Sequence, residues 1–234
     1  MARSKLAAAS PIHPTGSESP HVRLSGEQRR EQLVQVAVDL FARKGFNGTT
    51  TREIAAAAGV TEAIIFRHFE TKEHLYTAII DQKLNSTDAA GWIAKLRLAM
   101  NRDDDQAVIR QLIDGIISMH KTDPKFERLM LYAALEGNEI ALLYMRQVTA
   151  AIVDEFRNYF ARRQKQGAFR PIPPDAVLSA IAGMAKCHAL NKYVHGLKEQ
   201  CISDDQAVEA FTQIAIDGLC GPNKAKRSAT ARKR

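Results

Sequence analysis

From Glu27 to Cys220, apolar residues recur three and four positions apart, and no stretch alternates apolar and polar residues long enough to make a strand. That rhythm admits one class of solution, helices packed on helices, so the spacing predicts an all-α fold. The first helix is expected over Glu27–Lys44, where Leu33, Val36, Ala37, Leu40 and Phe41 share one face. Ser25, with Gln28 three positions on, has the form of a capping box, and Gly45 suits the residue that ends a helix. Short helices are predicted over Thr51–Ala57 and from Thr61 to near Phe69, with a fourth over Lys72–Leu84 behind the cap Thr71. Coarser periodicity places others at Ala89–Met100, Asp105–Lys121, Pro124–Glu136, Glu139–Gln166, Asp175–Leu197 and Asp204–Leu219. The helix over Glu139–Gln166 would run about 42 Å at 1.5 Å per residue, enough to cross a domain.

Charge divides the chain differently. Of the net +7, the last fourteen residues supply six charges through Lys224, Lys226, Arg227, Arg232, Lys233 and Arg234. Residues 1–26 carry Arg3, Lys5 and Arg23 against Glu18, so residues 27–220 are left near neutral, at −1. The basic balance thus describes two tails: residues 1–26, broken by Pro11, Pro14, Gly16 and Pro20 and read as a disordered arm, and residues 221–234, read as a basic disordered tail. Such a tail either holds nucleic acid loosely or is simply solvated.

Other classes fall away. The longest stretch free of Asp, Glu, Lys and Arg in residues 27–220 is Ala176–Ala185, and a membrane-spanning helix needs about 20 mostly apolar residues, so no membrane partner is expected. The three cysteines, Cys187, Cys201 and Cys220, are odd in number and form no C-x-x-C, so they encode neither a disulfide framework nor a metal site. Cys187 falls in an apolar helical stretch and reads as a core residue. The patch Leu6–Ser10 is too short for a secretory signal, and the chain reads as cytoplasmic. No phosphate-binding glycine loop, nucleophile elbow or H-E-x-x-H appears, so no enzyme activity, catalytic residue or cofactor is expected.

The informative segment is Thr51–His68. Its two helices must cross closely, and Ala55 supplies the small residue there. The turn needs a residue tolerant of positive φ, supplied by Gly59 four positions on. Ile54, Ala58, Val60 and Ile65 give the apolar groups that bury the inner side. This is the form of a helix-turn-helix, although an ordinary αα-hairpin with a glycine turn has the same features. Thr61 is placed to cap the second helix, which would present Glu62, Ala63, Phe66 and Arg67 outward.

The flanking residues separate the two readings. Leu33, Ala37, Leu40 and Phe41, then Gly45-Phe46, Thr49-Thr50-Thr51, Ile54-Ala55, Gly59-Val60 and Phe66-Arg67-His68-Phe69, followed by Lys72 and Leu75, stand at one continuous spacing. Residues 27–87 resemble the DNA-binding domain of the TetR family of bacterial transcription regulators. The resemblance implies that the third helix enters the major groove of a double-stranded operator. Thr50, Thr51, Arg52, Phe66, His68 and Lys72 are then carried over as DNA-binding positions beside the base-edge candidates Thr61, Glu62, Ala63 and Arg67. Arg suits guanine, Glu accepts from cytosine, and Ala63 can touch a thymine methyl. Two positions depart from the family. Phe66 stands where it most often has Tyr, so a hydroxyl contact to phosphate is lost and the ring is left for sugar or a thymine methyl. Glu62 stands where a polar or basic residue is common, and either reads cytosine or faces Arg67 or Lys72.

The same resemblance implies that residues 88–220 form a ligand-binding and dimerisation domain. Val177, Ala180, Ile181 and Met184 would pair with Val208, Phe211 and Ala215 in a homodimer interface, beside the small residues Gly183 and Gly218. A cavity for an apolar small-molecule ligand would draw on Trp92, Met119, His120, Phe126, Met130, Tyr132, Tyr144, Met145, Phe156 and His188. The implied function is a sequence-specific regulator, a homodimeric repressor released from a palindromic operator by its ligand, with the fourth helix linking cavity to reading head.

Overall fold

The computed structural model describes residues 24–84 and 88–220. Among them are ten α-helices and no strand: α1 (Gly26–Lys44), α2 (Thr51–Ala58), α3 (Glu62–His68), α4 (Lys72–Leu84), α5 (Asp88–Asn101), α6 (Asp105–Thr122), α7 (Pro124–Glu136), α8 (Glu139–Lys165), α9 (Pro174–Ala189) and α10 (Asp204–Cys220). The expected arm 1–26 lies mostly, and the expected tail 221–234 wholly, outside the described residues.

Local chemistry sets most boundaries. Ser25 and Gln28 close a capping box at α1, and Thr50 and Glu53 close another at α2. Asp123 caps α7, accepting from the Phe126 amide at 3.0 Å, and Pro124 takes the first turn, where its missing N–H costs nothing. The penultimate helix is where periodicity misleads. The α-helical path stops at Ala189, and Leu190–Val194 form a π-turn followed by a short 3₁₀ turn at Lys198–Gln200. Asp204 pins that connection: its carboxylate accepts from Lys192, His188, Lys121 and Tyr193. Burial pushes the Asp204 carboxyl up, but these hydrogen bonds outweigh it and hold the group well below the usual carboxylate range.

The apolar residues gather into two cores. One joins α5, α6, the second half of α8, α9 and α10 around Ile109, Ile113, Phe156, Phe160, Ile181 and Val208. The other joins α1–α4 around Leu33, Phe41, Ile54, Ile65, Phe69 and Leu75, and it also takes Phe126, Leu129, Met130 and Ala133 from α7. The N-terminal packing unit is therefore discontinuous in sequence, completed by α7, which follows α4 by about forty residues, with Ala141 of α8 beside it.

That division corrects several sequence readings. Val177, Ile181, Val208 and Ala215 are buried inside the monomer, and Met184 and Phe211 pack against the same core. Of the seven stripe residues only Ala180 is exposed. Cys187 is exposed rather than in the core, because Ala185, His188 and Ala189 occupy the inward positions of its turn. The expected cavity residues do not converge. Phe126 and Met130 belong to the N-terminal core and Phe156 to the other. Met119 is exposed, and the Trp92 indole donates to the Gln111 carbonyl at 2.7 Å between α5 and α6. Tyr132 bonds α1, and His120 is buried beside Glu127. The side chains of Tyr144 and Met145 lie outside the described residues. His188 lines an open groove of about 560 Å³ beside α9 and α10, apart from the other described candidates. Helical spacing shows that a face is buried, not which neighbour buries it.

Candidate nucleic-acid interface

The interface is built from the α2–turn–α3 unit upward. Ile54, Ala55, Ala58 and Ile65 are buried, so the inner faces of both short helices are fixed by apolar contact. Gly59 takes the left-handed conformation (φ 65°, ψ 35°), and its amide returns to the Ala55 and Ala56 carbonyls. Gln32 of α1 donates to the Ala58 carbonyl at 3.3 Å and ties the end of α2 to the bundle.

What remains outside is a compact set. Thr61, Ala63, Phe66 and Arg67 are exposed on α3 and at its cap, with Phe66 49% accessible. Thr50 and Arg52 are exposed at the start of α2, and Thr51 and His68 are half-buried. Helix α3 has seven residues, short enough to present one face to a groove.

Three predicted contacts are placed differently from expectation. Thr61 stands at the cap position but makes no side-chain capping bond. Glu62 faces neither Arg67 nor Lys72; its carboxylate accepts from the Thr51 hydroxyl and ties α3 to α2. Lys72 turns its ammonium inward, donating to the Phe46 carbonyl at 2.9 Å and the Thr49 carbonyl at 3.0 Å, with the Phe46 ring 4.1 Å away. Two of its three N–H donors thus go to the protein's own backbone.

The loop between α1 and α2 is held more firmly than its sequence suggests. Thr49 is fully buried and donates to the Gly45 carbonyl at 2.8 Å. Glu53 of the capping box also meets Lys44 at 2.6 Å, and that contact, followed by the Thr50 hydrogen bonds, lowers its pKa to about 2. The Thr50-x-x-Glu53 box is a signal the sequence offers openly. Glu136, which has no such local signal, reaches from α7 to the amides of Phe46 at 2.9 Å and Asn47 at 3.2 Å.

Among the described residues no three or more His, Cys, Asp or Glu side chains form a group able to hold a metal, and no helix is long and apolar enough to cross a membrane. An exposed helix bearing Arg67, Phe66 and Ala63, flanked by helix N-termini and hydroxyls, suits base edges and backbone phosphates.

Residues 33–79 match the profile described as bacterial regulatory proteins, tetR family, and residues 106–217 match a tetracyclin repressor-like C-terminal domain. The HTH-type transcriptional repressor KstR2 of Rhodococcus jostii (strain RHA1) is 40% identical over 201 residues, covering 83% of this chain and 93% of the relative. The HTH-type transcriptional regulator RutR of Escherichia coli (strain K12) is 26% identical over 196 residues, covering 82% and 90%. The solved structure of AibR in complex with isovaleryl coenzyme A and operator DNA superposes with a TM-score of 0.55 at 19% identity, over 80% of this chain and 97% of that one, a likeness of fold.

Proposed function

The chain belongs to the tetR family of bacterial regulatory proteins, transcription regulators that bind DNA, and on that premise we propose that it is a homodimeric repressor released from a palindromic operator by a small apolar ligand. The observation that carries this reading is the exposed face of α3. Ala63, Phe66 and Arg67 point away from a buried inner face, on a helix fixed at both ends.

In this reading Arg67 and Ala63 contact base edges, and Phe66 packs on sugar or a thymine methyl. Thr50, Thr51, Arg52, Thr61 and His68 meet the backbone. Glu62 and Lys72 serve by holding α3 and the α1–α2 loop in place, as their hydrogen bonds support. Residues 27–87 form the reading head, with α7 completing its core, and the remaining helices to Cys220 form the sensing and dimerising body.

Dimerisation would use the outward faces of α9 and α10. Ala180, Gly183 and Gly218 are exposed there, and Ile214 is 58% accessible, so small residues and a large apolar one lie uncovered on one helix pair. A two-fold dimer would set its recognition helices about 34–36 Å apart and so select a palindrome. The repressor role is supported by KstR2, a repressor by name. Response to a small molecule is supported by AibR, a protein of this fold solved with isovaleryl coenzyme A and operator DNA. Release follows if ligand favours a state whose two α3 helices no longer match the half-site spacing.

The test is selection of genomic fragments by the full chain and by residues 1–220, at about 150 mM salt so that phosphate attraction does not mask sequence preference. A palindrome enriched by both proteins is the expected result. Enrichment that needs residues 221–234 and shows no sequence preference would contradict it.

A further inference from the structure

Helix α7 lies along the C-terminal half of α1 and, beside the apolar residues it adds to that core, meets it through a polar face. Lys125, Arg128, Tyr132 and Glu136 recur at spacings of three and four, so they share that face. In order they meet the Asp39 carboxylate at 2.6 Å, the Ala42 carbonyl at 3.3 Å, the Arg43 carbonyl at 3.1 Å, and the Phe46 and Asn47 amides. The chemistry switches from donors to an acceptor as the end of a helix requires. Donors from α7 take up carbonyls in the last turn of α1, where intrahelical partners run out. Past the helix end, where the chain turns and presents N–H groups, α7 offers a carboxylate.

Glu136 sits at the end of this ladder, over the cluster of Phe41, Phe46 and Tyr76, whose rings lie 5.2–5.7 Å apart. Burial, with the Glu136 charge adding to it, holds the Tyr76 hydroxyl well above its ordinary pKa. Gly45 completes the fit. Its φ of 74° is left-handed, and a Cβ there would stand 2.3 Å from a Glu136 carboxylate oxygen. The loop so gripped is the one whose carbonyls Lys72 holds from the other side, and it leads directly into Thr50, the cap of α2. Arg128 on the same helix also reaches the Val194 carbonyl at 3.4 Å, in the π-turn that follows α9, so α7 touches both the loop and the body.

We infer that Glu136 is a positioning residue for operator recognition, the point at which α7 sets the α1–α2 loop and with it the α2–α3 unit. The inference rests on α3 being the recognition helix. It also changes the route between body and reading head: the hydrogen bonds run through α7 into the loop, beside the covalent path through α4.

The experiment compares full-length wild type, Glu136→Ala, Glu136→Gln, Gly45→Ala and the Gly45→Ala/Glu136→Ala double variant. It measures Kd for the selected operator and for a scrambled duplex, together with amide exchange at Phe46 and Asn47. Glu136→Ala should weaken operator binding about tenfold, the scale of about one net hydrogen bond, and speed exchange at both amides. Scrambled-duplex binding, set by phosphate attraction, should not weaken, and the thermal transition of the core around α5, α6, α9 and α10 should stay in place. Glu136→Gln keeps one acceptor oxygen and should recover part of the loss. Gly45→Ala should also weaken operator binding, and the double variant should lose less than the product of the two, because the clash partner is gone. Operator binding by Glu136→Ala equal to wild type overturns the inference alone. Equal loss on operator and scrambled DNA, with no recovery in Glu136→Gln, overturns it as well by reducing Glu136 to a fold contact. A wild-type chain that selects no sequence overturns both this inference and the functional reading beneath it.

Discussion

The two cores of this molecule are built on different terms. The core of α5, α6, α8, α9 and α10 is continuous in sequence but for α7, and its main ion pairs, such as Arg163 with Asp105 and Arg110 with Glu209, join helices within the same unit. The core around α1–α4 is closed by α7, and contacts from that borrowed helix join those of Lys72 and Thr49 in fixing the α1–α2 loop. The comparison teaches that a small reading head need not be self-sufficient. Helices of eight and seven residues, as α2 and α3 are, bury too little to be stable by themselves, so part of their order is supplied from outside. A helix that supplies order in this way is also a place where binding elsewhere can be felt.

The largest expected effect breaks the shared core. Leu129 of α7 is 1% exposed among residues of the reading head. Leu129→Ala should cost roughly 2–5 kcal/mol and shift the unfolding of α1–α4, followed by denaturant titration. Ile113→Ala in the other core should cost a similar amount but leave operator contacts intact while the chain remains folded. Matching losses of operator affinity in the two variants, measured where both are folded, would erase the distinction.

The next prediction concerns the pair where α6 meets α7. His120 is 2% exposed, its Nδ1 lies 2.8 Å from the Ile116 carbonyl, and its Nε2 lies 3.4 Å from the Glu127 carboxylate. Burial pushes the Glu127 carboxyl up, with the His120 charge opposing. A raised carboxyl binds its proton more tightly in the folded chain than in the unfolded one. Glu127 therefore makes stability fall as pH rises from the ordinary carboxylate range through the raised value. Glu127→Gln should remove that slope in melts between pH 5 and 8. His120→Ala leaves a half-buried carboxylate without its partner and should cost about 3 kcal/mol at neutral pH. A pH slope that persists in Glu127→Gln would show that another group carries it.

Smaller effects sharpen the reading of α3. Arg67→Ala should cost about 1–3 kcal/mol at particular base pairs, and Arg52→Ala should weaken all sequences alike and lower the salt slope by about 1. Uniform loss from Arg67→Ala would move it from base to phosphate. The smallest effect belongs to Glu53, whose depressed pKa contributes stability above the usual carboxylate range, lost as pH falls through about 2. Glu53→Gln should lower stability slightly at neutral pH, the exposure of the pair keeping the loss small, and so flatten the acid side of the melting profile.

Much of the fold was legible because its signals are local. Ser25 with Gln28, Thr50 with Glu53, Pro124 behind Asp123, and the periodicity of Leu33 to Phe41 act within one or two turns, and helix ends predicted from them lie within about two residues of those observed. The π-turn after Ala189 was not legible, because the ties that shape it run from Lys192 and Tyr193 to Asp204 in the next helix. The outward set Ala63, Phe66 and Arg67 followed from the turn at Gly59 and the apolar inner face. The roles of Lys72 and Glu62 did not, because each is decided by a partner in another element. The stripe on α9 and α10 was legible only as a buried face: Val177 and Ile181 lie in the monomer core, and Ala180 and Gly183 are on the exposed side.

The measurement that tests the account most directly is hydrogen exchange on the full chain with and without its operator. If the reading head and α7 are one unit, amides of Phe126–Glu136 gain protection on binding DNA together with those of α1–α3, while α6 and α9 change little. Protection confined to α1–α4, with α7 exchanging as it does in the free protein, would contradict the account and return α7 to the body alone.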